Sequence, residues 1–126
     1  MDISAQALTT CEVATDGGAI SLGFVDSTGN PATITLSLKQ VGALVMTLPR
    51  LLDHALQARY GDQSLRYAYP LASWVVEQST DAAQRIVTLQ TEDGFSVCFS
   101  VPREQQSLLG EALMAQPKLD VRLRAN

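Results

Sequence analysis

Residues 86–110 read IVTLQTEDGFSVCFSVPREQQSLLG. Two runs of alternating apolar and polar residues flank an acidic-glycine turn, and a helical pattern follows. Successive side chains of a strand point to opposite faces, so the loop length decides which residues share a face. A two-residue loop at Asp93-Gly94 would oppose Val97 to Gln90 and Phe99 to Thr88, which mixes the faces. A three-residue loop at Glu92-Asp93-Gly94 pairs Leu89 with Val97 and Val87 with Phe99. It requires a left-handed residue at its last position, and Gly94 stands there. The longer loop is therefore expected. It leaves Cys98 on the less apolar face with Thr88, Ser96 and Ser100.

The same order of strand, turn, strand and helix recurs upstream in ISLGFVDSTGNPATITLSLKQVGALVM, residues 20–46. The offset is 63 residues, from Ile34 to Val97. Ile34, Leu36 and Leu38 stand where Val97, Phe99 and Val101 do, Ser37 where Ser100 does, and Val45 and Met46 where Leu108 and Leu109 do. Asp16-Gly17-Gly18 separates two further strand-like runs, Ala7 to Ala14 and Ala19 to Val25, and the segment Asp26 to Pro31 is dense in turn formers. The chain thus reads as a pseudo-repeat of about 7–60 and 65–117 within one domain, 1–126. Duplication and a chance recurrence of a common motif would both give this pattern.

Ser37 followed by Gln40 has the form of a capping box. Val41, Leu44, Val45, Leu48, Leu52, Ala55 and Leu56 then form a helical stripe. Pro49 is expected to kink or split this helix, with Thr47 capping the second piece, and Gly61 to close it. Ser100 with Pro102 marks the start of the last helix, about Arg103 to Gln116, with Leu108, Leu109 and Leu113 inward and Pro117 as its stop. Leu65 to Gln78 reads as a strand-like run that Pro70 bends or sends to a sheet edge. The resulting fold class is α+β. It has two βββα units, a mostly antiparallel sheet of about six strands (one twisted sheet or two small ones), and two helical segments packed on one face.

Composition narrows the function. Charged residues are 17% of the 126, the net charge is −4, and apolar residues are 46%. The apolar share supports a folded core, and the acidity argues against nucleic-acid binding. MDISAQALTTCEV lacks the basic and apolar regions of a secretory signal. The Val41–Leu56 segment is too short and too polar to span a bilayer. The expected location is the cytoplasm. Cys11 and Cys98 read as reduced, partly buried thiols, with a bridge between them left open because both fall in strands. No CxxC, phosphate loop or nucleophile elbow occurs, so no metal or cofactor is expected.

The remaining chemistry lies in side chains weighed one by one. Met46, Arg50 and His54 recur every four residues on the helix face opposite the stripe. That face is either solvated or a contact patch in which Arg50 grips a partner's carboxylate. Asp53, Asp62, Glu77, Asp81, Glu92 and Asp93 could do acid–base work, though most fall in turns where Asp has structural reasons to be. Glu77 should face away from Trp74, Val76 and Gln78. All three tyrosines and the tryptophan fall between Tyr60 and Trp74, near Arg59 and Arg66. These residue types dominate protein interfaces, whereas Trp74 and one tyrosine read rather as half-buried strand residues.

The sequence therefore points to a non-enzymatic protein-interaction module: a small acidic adaptor, regulator or chaperone-like protein. Its expected contact residues are Tyr60, Arg66, Tyr67, Tyr69, Arg50 and His54, and its partners another protein and a second copy of itself. The alternative is a small-ligand-binding protein with a pocket between sheet and helices, suggested by the Thr, Ser and Cys face around Cys98.

Overall fold

The computed structural model describes residues 1–116. The order is β1 (Ala5–Val13), β2 (Ala19–Asp26), β3 (Pro31–Ser37), α1 (Leu38–Tyr60), β4 (Ser73–Gln78), β5 (Gln84–Gln90), β6 (Ser96–Pro102) and α2 (Arg103–Met114). The fold is α+β, with two separate three-stranded antiparallel meanders, β1-β2-β3 and β4-β5-β6, rather than one six-stranded sheet. Each meander is closed by its own short turns, so pairing is completed locally. The chain divides into two compact units, Met1–Tyr67 and Ala68–Asn126.

In the first unit, the register stacks Val13, Ile20 and Leu36 in one cross-strand row and Cys11, Leu22 and Ile34 in the next. The opposite face carries Glu12, Ser21 and Thr35, and the Ser21 and Thr35 hydroxyls lie 3.1 Å apart. Register shifts in β1 between Ala5 and Ala7 and between Leu8 and Thr10 bring Leu8 opposite Phe24. The β2–β3 turn is organised by Asp26, whose Oδ1 accepts from the backbone N–H groups of Thr28 and Asn30, both at 2.9 Å, and from the Thr28 hydroxyl at 2.7 Å. Side chain-to-backbone bonding of this kind is why Asp is favoured at such a corner.

Helix α1 begins as the sequence implies. Ser37 Oγ accepts from the Gln40 N–H at 3.2 Å, and Gln40 Oε1 accepts from the Ser37 N–H at 2.9 Å, completing the capping box. Gly61 ends it with φ 64°. Pro49 neither splits it nor starts a second piece: the helix runs unbroken through 23 residues. Thr47 caps nothing, because its hydroxyl donates back to the Ala43 carbonyl at 2.7 Å. The proline costs one backbone bond, the N–H that Val45 O would otherwise receive, and the flanking turns carry the helix past it. α1 lies against β2 and β3. At 1.5 Å per residue it is about 34 Å long, whereas the seven residues of β3 span about 23 Å.

After Gly61 the chain folds back along the end of α1. The Tyr67 N–H donates to Asp53 Oδ1 at 2.7 Å, and Gln57 Nε2 donates to the Leu65 carbonyl at 3.0 Å. The expected strand over Leu65–Gln78 is therefore confined to Ser73–Gln78, because helix side chains hold the backbone of Leu65 and Tyr67.

The second unit follows the longer hairpin loop. Leu89 pairs with Val97 and Val87 with Phe99. Thr91 N–H donates to Phe95 O at 2.8 Å, and Gly94 takes φ 95°. Cys98 stands opposite Thr88, with its sulfur 3.2 Å from the Thr88 hydroxyl. The last helix starts at Arg103, as expected, though Ser100 is still paired in β6 and does not cap it. β6 keeps its pairing out to Pro102 opposite Gln84, so Ser100 remains in the strand and its hydroxyl donates to Gln84 Oε1 at 2.9 Å. Pro102 is the N-cap, and α2 stops at Met114 rather than Gln116. Pro117, Arg122, Arg124 and Asn126 lie outside the described residues. Cys11 and Cys98 are free and exposed rather than partly buried. Cys98 lies on the polar face, and Cys11 lies on an edge strand.

Two glycines should respond oppositely to alanine. Gly42 lies inside α1 with nothing within 4 Å of an added Cβ, so Gly42→Ala should stabilise the first unit by about 0.5–1 kcal/mol. Gly94→Ala also meets open space but must hold φ 95°, and should destabilise the second by about 1–2 kcal/mol. Urea unfolding of both variants checks the two signs.

Candidate functional site

The expected contact residues are distributed over both units. In the first, Arg50 and His54 are exposed on α1. Tyr60 closes the helix and is 63% exposed, with the Arg59 guanidinium 5.7 Å from its ring centroid. Arg66 and Tyr67 are exposed on the returning segment, which Asp53 anchors through the Tyr67 N–H. In the second, Tyr69 rests on Phe95, with ring centroids 4.8 Å apart and planes tilted by 34°.

The site that sequence reasoning missed is a whole sheet face in the second unit. Trp74, Leu89 and Val97 form one cross-strand row, and Val76, Val87 and Phe99 the next. Glu77 stands on the other face with Ile86 and Ser100. Trp74 had the character of a half-buried strand residue, but it is 64% exposed, and Phe99 is 53% exposed. Among the described residues of this unit the face is exposed, and α2 contacts β6. At the turn end of the face, Tyr69, Leu71 and Phe95 join Leu89, Val97 and Phe99 around an apolar groove of about 260 Å³. Enclosed small-molecule sites are generally larger, about 300–1,000 Å³.

The helices repeat this pattern of bare apolar surface. Leu48, Leu51 and Leu52 of α1 and Leu108, Leu109 and Leu113 of α2 are exposed. Among the described residues Phe24 is the sole buried hydrophobic side chain.

The titrating groups do structural work at turns. The Asp26 carboxyl is held below its ordinary value chiefly by the Thr28 hydroxyl, then by the Asn30 N–H. The Ser64 hydroxyl does the same for Asp62, and the Thr91 hydroxyl for Asp93. A general acid or base near neutrality needs a shift in the other direction. Among the described residues no group of three or more His, Cys, Asp or Glu is placed to hold a metal ion. Likewise no helix is long and apolar enough to cross a membrane.

Compared with known proteins, the chain matches no family model, no curated protein and no solved structure.

The three turn carboxylates set a pH dependence. Their pKa values are lower folded than unfolded, so on acidification the unfolded chain takes up protons first. The stability they confer is complete above the unfolded carboxylate range, about pH 4, and is lost as pH falls through the lower folded values. The urea midpoint should therefore drop below about pH 4. Asp26→Asn keeps an acceptor oxygen but cannot ionise, so its deficit against the unmodified protein should shrink between pH 7 and pH 3. An equal deficit at both values would show that the Asp26 charge contributes nothing.

Proposed function

We propose that this chain is a non-enzymatic protein-interaction module, a small acidic adaptor, regulator or chaperone-like protein of the cytoplasm. The observation that carries this reading is the apolar surface left bare by both units, with one buried hydrophobic side chain among the described residues. A soluble chain seldom exposes contiguous apolar patches beyond a few hundred Å², and larger ones mark surfaces that another molecule covers. The exposed Tyr60, Arg66 and Tyr67, with Arg50 and His54 on α1, supply the residue types enriched at such contacts, as does Tyr69 in the second unit. A chain of net charge −4 would repel nucleic acid.

The small-ligand alternative has a different basis. It rested on the Thr, Ser and Cys face around Cys98, whereas the apolar groove lies on the opposite face, with Leu89, Val97 and Phe99.

The test is affinity capture from the native host with partners identified by mass spectrometry, comparing the unmodified protein with Tyr60→Ala and Arg66→Ala. Both substitutions are at exposed positions, so melting temperatures should move by no more than a few degrees, and one reproducible partner should be lost. Capture that persists in both variants would remove these residues from the interface. A large loss of stability would assign them to the fold instead.

A further inference from the structure

We infer that the apolar face of β4–β5–β6 is covered by the same face of a second copy of this chain, with Trp74 of each copy seated in the groove of the other. The inference rests on the interaction-module reading and names the occupant of one of its surfaces.

Area is the first argument. Trp74 is 64% exposed, Phe99 53%, Phe95 49% and Tyr69 48%. Aromatic side chains present about 150–250 Å² each, and Leu71, Val76, Leu89 and Val97 fill the space between them. The face therefore offers roughly 600–800 Å² of exposed apolar surface. A stable dimer needs about 600–1,000 Å² from each partner.

Self-complementarity is the second. A two-fold contact sets a surface against itself, so any charge near its centre meets its own copy at close range. The Trp74–Leu89–Val97 and Val76–Val87–Phe99 rows carry no charge. The first ionisable group on the face is Arg85, one row further out beside Gln78 and Val101. For a chain of net charge −4, such an uncharged surface lets a copy approach without like charges meeting at its centre. The face also carries both halves of an isologous contact. Trp74 projects from β4 in the same row as Leu89 and Val97, which help to line the groove. A single two-fold axis can exchange the two, filling each groove with a residue type that dominates binding energy.

The chain contains one tryptophan, so its emission reports on Trp74 alone. Sedimentation velocity and tryptophan emission should be recorded together over a dilution series of the unmodified protein, then for Trp74→Ala and for Val75→Glu on the opposite face. A dimer is expected, with blue-shifted emission that moves red as it dissociates. Trp74→Ala should weaken dimerisation by about 30-fold or more, and Val75→Glu should leave it within a few-fold. A monomer up to high micromolar concentration overturns the inference, as does a dimer that Trp74→Ala leaves unchanged. If Trp74→Ala does not fold, the unmodified protein still decides: a dimer whose tryptophan emits and quenches as an exposed residue also overturns it. A monomer that still captures its partner would sink the dimer and spare the interaction module; a dimer that captures nothing would do the reverse.

Discussion

Gly94 holds φ at 95° in the turn between β5 and β6, a conformation that a residue with a Cβ adopts only under strain. With that residue in place the loop closes on Thr91 and Phe95, and Val87, Leu89, Val97 and Phe99 come to one side of the sheet. One residue fewer would have divided them between the faces. β4 then adds Trp74 and Val76 to the same side. The bare apolar face, the groove beside it and the exposure of Trp74 all depend on this register. So does the polar character of the opposite face, where Cys98 meets Thr88.

The first unit leaves its apolar surface bare along the helix. A helix of 23 residues accompanies strands of seven to nine. Phe24 of β2 is buried, and no residue of the helix is. Along the helix Leu48, Leu51 and Leu52 stay exposed. The C-terminal half of the helix anchors the returning chain through Asp53 and Gln57. Both units thus show the same imbalance: the sequence supplies more apolar stripes than each unit has elements to cover. That imbalance gives an interaction protein a physical rationale without any catalytic motif.

Much of this was legible locally. The capping box at Ser37 and Gln40, the left-handed stop at Gly61 and the three-residue loop ending at Gly94 are short-range geometry, and the structure has all three. The departures have equally specific causes. Ser100 resembles Ser37 in its surroundings, yet β6 continues two residues further because Gln84 pairs with Pro102. Pro49 looked like a break, but the missing N–H removes one bond from a helix that retains its others. Leu65–Tyr67 looked like strand because side-chain pattern cannot show that Asp53 and Gln57 will take its backbone groups. For the candidate site, Tyr60, Arg66 and Tyr67 are exposed, and so is Trp74, which had the pattern of a half-buried strand residue.

The sequence by itself determined the order of elements, their turns and caps, and which side chains share a strand face. These follow from backbone geometry within a few residues. Only the tertiary structure decided that the strands form two sheets rather than one and that, among the described residues, the Trp74–Phe99 face stays exposed. Alternation along a strand says which residues point the same way; what lies above them depends on the lengths and directions of elements far away in the chain.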